Sequence, residues 1–357
     1  MSFDSRPDQA ASSRPGSRHR PPDAGCRREL GPTLSLLLRT TNWLRPFRLV
    51  GRLPPLASRF ARHGCPARTL LFGPLSLGDD LLCTTVLREA RRRGIPFSMM
   101  TGRPEIFANN PDPSGLIPVD DYYARALRRL GRTVVRPYYA DADPDEPNRD
   151  VFGPGHILAS MCRRAGLTGE IALRPYVFLT DAELAAGRRA GRQIAMQSTV
   201  AGSALPFANK EWLPARFAEV VNRLPEGCTA IQLGSASDPP LPRALDLRGR
   251  TSVREAAAVL AASEAFVGLE GFLGHLARAV DCPAVILLGG RATAENLGYP
   301  GNEYLAAPTS CAPCGLRNRC DHSRACLADM EVEAVAAALR RLLDRGRRPL
   351  PVARAIL

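Results

Sequence analysis

Four stretches of the chain carry residue types that can do chemistry. The first, LSLGDDLLCTTVLREA (residues 75–90), ends a β-like run and reaches Asp79 where a helical pattern begins. A carboxylate at a helix start facing a cleft can take a proton from a hydroxyl; the plainer alternative is a helix cap by Asp79 or Asp80. Gly78 is expected to supply a tight backbone turn just before it. The second stretch, FANKEWLPARF (207–217), holds Lys210, the only lysine among 48 basic residues. In a chain that otherwise uses arginine, a lysine suits a place where a compact ammonium fits and a planar guanidinium does not, such as beside a phosphate oxygen. A chance lysine on a solvated face is the alternative, and Trp212 and Leu213 are expected to anchor the loop.

The third stretch is FVGLEGFLGHLARAVDCPAVILLGG (266–290). A buried strand runs through Gly268 and Glu270 to Gly271, and a helix starts near Phe272 with Gly274 and His275 in its first turn. Unpaired backbone amides and the positive end of the helix dipole make a seat for a diphosphate there. His275 can donate to a phosphate or sugar oxygen and Glu270 can accept from hydroxyls, although a histidine in a helix is also commonly a packing residue. The fourth stretch, CAPCGLRNRCDHSRAC, places Cys311, Cys314, Cys320 and Cys326 within 16 residues, with His322 as a spare ligand. Four thiolates so spaced can close a tetrahedral zinc or iron site; reversible disulfides and an empty site are the alternatives.

Around these stretches the pattern alternates short apolar runs with helical periodicity. RTLLFGP, GDDLLCTTVLREARRRG and IPFSMMTG predict a βαβ unit, while residues 103–150 are broken up by Pro, Asp and Tyr and give no clear period. From about residue 192, RQIAMQS, CTAIQLGS, EAFVGLE and PAVILLGG predict buried parallel strands. Helices LPARFAEVVNRL, SVREAAAVLAAS and FLGHLARAVD lie between them, and Ser252 and Glu255 have capping-box spacing. Two α/β halves facing a cleft follow: 67–185 as the first domain, 186–330 as the second with the Cys cluster at 311–326, and 331–357 as a closing helix and tail. Residues 1–32 read as a disordered basic arm and 33–66 as an amphipathic basic segment.

Charge narrows the partners. The net charge is +13, and residues 1–67 hold 12 arginines against four acids, so 12 − 4 = +8 of the excess sits in this first fifth of the chain. Such a distribution suits an anionic membrane surface or ligand. Aromatic residues make up 6% and are not interleaved with basic ones, which argues against nucleic acid as partner. No apolar run approaches the roughly 20 residues that cross a bilayer. A cytoplasmic protein, touching the cytoplasmic face of the inner membrane, is the expectation.

Taken together, LSLGDDLLCTTVLREARRRG, NKEWLPARFAEVVNRL and LDLRGRTSVREAAAVLAASEAFVGLEGFLGHLARAVDCPAVILLGG resemble, in order and spacing, glycosyltransferase family 9, the ADP-heptose:lipopolysaccharide heptosyltransferases. The resemblance covers residues 68 to about 340, fading between 103 and 170. It implies the GT-B fold, two Rossmann-like domains facing a cleft. It also implies an inverting transfer from a nucleotide sugar, ADP-linked by preference, to a glycan or glycolipid hydroxyl, with no metal in the reaction itself. On that resemblance Asp79 is the base, Lys210 meets the donor phosphate and sugar, and His275 closes the donor loop formed with Glu270, Gly271, Phe272 and Gly274. Asp238 is the candidate for the acidic residue at the ribose. Glu270, Gly271 and Phe272 stand where the family often has Asp, Thr or Ser, and Gly, which together with the Cys cluster marks a divergent branch. Two further readings are a noncatalytic binding or assembly protein that keeps the GT-B shell, and a nucleotide-sugar epimerase.

Overall fold

The computed structural model describes residues 53–72 and 77–357. The expectations for the arm and for most of the segment 33–66 therefore lie outside the described residues, as do Leu75 and Ser76 of the Gly-Asp loop. The compact unit considered below is Ser58–Leu357.

The first lobe follows the predicted βαβ order. Helix α1 (Leu53–His63) tolerates Pro54 and Pro55 because both sit in its first turn, where amides lack intrahelical partners anyway. Strand β1 (Arg68–Leu71), helix α2 (Leu77–Arg92), strands β2 (Ser98–Thr101) and β3 (Leu116–Pro118), helix α3 (Asp121–Arg129) and strand β4 (Thr133–Val135) follow. The sheet is all parallel in the order β3-β2-β1-β4. Leu81, Leu82, Val86, Leu87 and Ala90 of α2 are almost fully buried against it. Each such leucine or valine contributes about 1.5–3 kcal/mol by leaving water, which fixes the helix and hence the position of its amino end. Gly78 is not in a tight turn: it lies inside the first turn of α2, and a side-chain carbon there would make only an ordinary contact of 3.9 Å with Phe272.

The stretch without period, 103–150, holds β3, α3 and β4 and then β5 (Ala140–Ala142), which pairs antiparallel with β6 (Asp150–Phe152); helix α4 (Ile157–Arg164) and strand β7 (Glu170–Ala172) follow. A linker carries helix α5 (Asp181–Ala186), whose start is closed by a Thr180–Glu183 capping box.

The second lobe contains strand β8 (Arg192–Met196), helix α6 (Pro214–Asn222), strands β9 (Cys228–Gln232) and β10 (Leu245–Asp246), helix α7 (Val253–Ala262), strand β11 (Ala265–Leu269), helix α8 (Phe272–Ala279), strands β12 (Ala284–Leu287) and β13 (Glu303–Leu305), and helix α9 (Val332–Arg345). Its six-stranded sheet runs β10-β9-β8-β11-β12-β13, all parallel. Strands β11 and β12 are buried along their length, as expected for a sheet with helices on both faces. The Ser252–Glu255 capping box is present at α7. Helix α9 packs Val335, Leu339 and Leu342 into the core that holds Val285 and Leu287, so it is part of this lobe. The tail beyond it does not stay there: β14 (Arg354–Ile356) pairs antiparallel with β7 of the first lobe.

The chain thus crosses between lobes twice, and side chains clamp the crossing. Arg254, at the start of α7, donates to Phe178 O at 2.7 Å and Glu105 O at 3.2 Å while pairing with Glu183 at 2.5 Å. Fully buried Arg278 donates to Asp281 at 2.6 Å and to Pro351 O at 3.0 Å.

Candidate active site

Parallel α/β sheets leave a crevice at the carboxyl ends of their strands, and both lobes present theirs to one cavity of about 610 Å³. From the first lobe comes Asp79, in the first turn of α2. Burial pushes its carboxyl up to about 7; a hydrogen bond from Tyr139 and the nearby Lys210 and Arg291 oppose that rise, and Asp80 adds to it. Asp80 itself is turned inward, buried, and accepts from Thr101 Oγ1 at 2.5 Å. The two adjacent acids therefore do different work: Asp80 braces the loop after β2, and Asp79 lines the cavity.

The second lobe supplies the opposing wall. Glu270 closes β11 and is 3% exposed. Gly271 follows with φ 148° and ψ −157°, a conformation open in practice only to glycine, and this lets the chain turn at once into α8. Gly274 packs so closely that a side-chain carbon would lie 3.0 Å from Ile286 Cδ1. His275 is buried, with Nδ1 2.8 Å from the Tyr299 hydroxyl. Burial, helped by the Lys210 charge, depresses its pKa to about 3, so the imidazole is neutral at physiological pH. When Tyr299 donates to Nδ1, Nε2 keeps its proton and becomes a hydrogen-bond donor.

Lys210 ends a short 3₁₀ turn, Ala208–Lys210. Its side chain is 14% exposed, its ammonium lies 3.6 Å from Glu270 and 5.1 Å from the centre of the Phe207 ring. Burial lowers its pKa, Glu270 raises it and Arg291 lowers it further. Trp212 anchors the loop as expected, buried and donating to Met330 O at 3.2 Å. Leu213 does not, being 59% exposed.

Several wall residues were not singled out from sequence. Arg291, 5% exposed, binds Asp150 at 2.5 Å and Glu270 at 3.4 Å. Asp150, from the first lobe, also takes Arg317 as a partner, with Arg317 Nε at 2.8 Å. A chain of alternating charge therefore runs Lys210, Glu270, Arg291, Asp150, Arg317 along one side of the cavity. Arg291 had an available signal, since it follows directly on the end of a buried parallel strand, where ligands bind. Asp150 and Tyr139 had none, lying in the stretch without period.

Asp238 also lines the cavity. One carboxylate oxygen accepts from Ser235 N–H at 2.8 Å, and side-chain carbons added to Gly202 or Gly234 would collide with the carboxylate at 2.6 and 2.3 Å. In this structure the group holds the Gly234–Ser235 loop closed.

The four cysteines gather around Cys326: burial raises the pKa of its thiol, the Gly290 N–H lowers it, and the neighbouring Cys314, Cys311 and Cys320 raise it again. Among the described residues no group of three or more His, Cys, Asp and Glu side chains is arranged to hold a metal ion. The expected ligands Cys311, Cys314, Cys320 and Cys326 are neighbours in space, short of a closed ligand set. All four are free thiols, each engaged locally. Cys326 Sγ accepts Gly290 N–H at 3.2 Å, Cys320 Sγ accepts Arg324 N–H at 3.4 Å, and Cys311 donates to Thr309 Oγ1 at 3.6 Å. A Cβ at Gly290 would meet Cys314 Sγ at 3.0 Å, so that thiol is packed against the strand end. His322 is exposed.

Comparison with known proteins bears on the fold. Residues 190–303 match the family model for glycosyltransferase family 9 (heptosyltransferase). The fold is GT-B, as in Escherichia coli ADP-heptose lipopolysaccharide heptosyltransferase II, with a TM-score of 0.57 and 16% identity over 78% of this chain and 99% of that one. A family 9 glycosyltransferase from Veillonella parvula gives a TM-score of 0.56 at 15% identity, covering 78% of this chain and 97% of that one. The iron-containing dodecameric glycosyltransferase TibC of enterotoxigenic E. coli gives 0.59 at 16% identity, covering 78% and 75%. No curated protein matches the chain. Among the described residues no helix is long and apolar enough to cross a membrane.

Proposed function

We propose that this chain, whose residues 190–303 match the glycosyltransferase family 9 model and whose fold is GT-B, is a glycosyltransferase that moves a sugar with inversion from a nucleoside-diphosphate sugar to a hydroxyl of a cell-envelope glycan or lipopolysaccharide acceptor. The observation that carries this reading is a single cavity lined by Asp79 from one lobe and by Lys210, Glu270, His275 and Arg291 from the other. A general base on one wall and fixed cations with an open helix start on the other is the arrangement an in-line displacement needs.

In this scheme Asp79 removes the proton of the acceptor hydroxyl as its oxygen bonds to the anomeric carbon. The bond from that carbon to the phosphate oxygen breaks, and the nucleoside diphosphate leaves toward Lys210 and the amides at the start of α8. Glu270 keeps the Lys210 and Arg291 heads in place, and neutral His275 acts as a hydrogen-bond donor to the donor sugar or phosphate. Thr251, Ser252 and the Gly234–Ser235 loop, which also line the cavity, form the nucleoside end, with Asp238 as the brace of that loop. An ADP-linked heptose is the favoured donor, because a similar structure is a heptosyltransferase complexed with ADP-D-beta-D-heptose. The reaction is placed on the cytoplasmic side of the inner membrane, where the basic arm can meet anionic lipid.

A calorimetric or thermal-shift screen of ADP, UDP and GDP tests the reading, since a ligand of the native state raises stability by mass action. ADP is expected to bind best. Lys210→Ala is expected to lower transfer by about 10²–10³-fold, the usual effect of losing one preorganised donor at a developing charge, with the fold intact. Wild-type protein that binds none of the three nucleotides would sink the donor-site assignment. Product formed from the nucleotide sugar without acceptor would favour the epimerase.

A further inference from the structure

The cysteine-rich segment has a structural task at the site. Its strip 314–319 is hydrogen-bonded to three separate parts of the cavity wall. On one side lies the Lys210 turn: Asn209 Nδ2 donates to Leu316 O at 3.1 Å and Arg319 O at 2.9 Å, and Asn209 N–H donates to Arg317 O at 3.0 Å. Ala208 N–H adds a bond to Asn318 Oδ1 at 3.0 Å. On the other side lies the first lobe, where Asp150 N–H donates to Gly315 O at 2.9 Å and Arg317 N–H to Asn148 O at 2.8 Å. Beneath it is the loop after β12: Cys314 N–H donates to Gly290 O at 2.6 Å, one residue before Arg291.

Asn209 is the point where these supports reach Lys210. It is 3% exposed and sits in the middle of a turn only three residues long, so its backbone fixes the direction in which the next side chain leaves. The loop after β12 also packs directly on it, since a side-chain carbon at Gly289 would fall 2.2 Å from Asn209 O. An amide is the side chain the place requires: two N–H groups from one nitrogen meet two carbonyl oxygens, which a carboxylate cannot do.

We propose that Asn209 is a positioning residue for Lys210, and that the strip 314–319 sets the diphosphate-facing cations by holding Asn209, Gly290 and Asp150 at once. The inference rests on the function proposed above, with Lys210 at the leaving diphosphate.

The test measures binding of inorganic pyrophosphate and of ADP to the full-length protein, with thermal stability recorded alongside. Lys210→Ala is expected to weaken both ligands at least about tenfold, and Asn209→Ala about three- to tenfold. The double variant should bind within twofold of Lys210→Ala alone, because residues acting through one group are not additive. Asn209→Asp should be worse than Asn209→Ala, since its carboxylate faces two carbonyls. Asn318→Ala, a milder change that removes only the Ala208 acceptor, should shift affinity in the same direction and serves if Asn209 variants do not fold. Losses that multiply in the double variant, or an Asn209→Ala protein less stable but of unchanged affinity, overturn the positioning role and leave the proposed function standing. Wild type that binds neither ligand overturns both.

Discussion

Replacing Asp79 by Asn should stabilise the protein at alkaline pH while it removes the reaction. Burial holds the folded-state pKa of Asp79 at about 7 against an ordinary value of 3.8. A carboxyl whose pKa rises on folding favours the protonated form in the folded state. Its cost to stability is therefore absent below pH 4, grows as pH rises from 4 to 7, and is complete above 7. At about 1.36 kcal/mol per pKa unit, the cost grows by about 2–3 kcal/mol between pH 5 and pH 8. Asparagine cannot ionise and escapes this. For a folded unit of this size the entropy of unfolding is about 0.6 kcal/mol/K, so the melting temperature of Asp79→Asn relative to wild type should rise by about 4 °C on going from pH 5 to pH 8. Transfer by wild type should show the same ionisation, because only the carboxylate accepts a proton. With about 1% of Asp79 ionised at pH 5, transfer there should be about 100-fold slower than at pH 9. Differential scanning fluorimetry of both proteins at the two pH values, with initial rates of wild type, makes the comparison. A melting-temperature gap that does not change with pH, or wild-type transfer that is flat from pH 5 to 8, would refute the buried-base argument.

Two further outcomes follow from the geometry. Tyr299→Phe leaves buried His275 Nδ1 without its 2.8 Å partner and should cost about 1–3 kcal/mol of stability; a fall in ADP affinity measured beside it would tie the tyrosine to the orientation of the imidazole. Deleting residues 349–357 removes β14 from β7 and takes Pro351 O from fully buried Arg278. Several kcal/mol of destabilisation should follow, and a truncated protein with an unchanged melting temperature would show that the tail does not hold the lobes.

The local parts of the fold could be read from the sequence because the signals are local. Apolar runs bounded by glycine or proline became β8, β9, β11 and β12, the Ser252–Glu255 spacing became a capping box, and Asp79 and His275 were placed in the first turns of α2 and α8. Gly78 was misread because a glycine ahead of a helix and one inside its first turn look alike in sequence. The cysteine spacing did bring the four thiols near one another, but the backbone between them decides where each points.

The charge network belonged to the tertiary structure alone. Lys210, Glu270, Arg291, Asp150 and Arg317 come from five separate segments of both lobes, and Asp150 lies where no periodicity guided the reading. The sequence by itself determined which residues form helices and strands and which acid and which lysine stand at their ends, since those depend on neighbours a few positions away. Only the packing of one lobe on the other decided which charges would be buried together, and therefore which carboxylate is held near neutrality and which histidine is kept uncharged, because ionisation responds to groups that are close in space and distant along the chain.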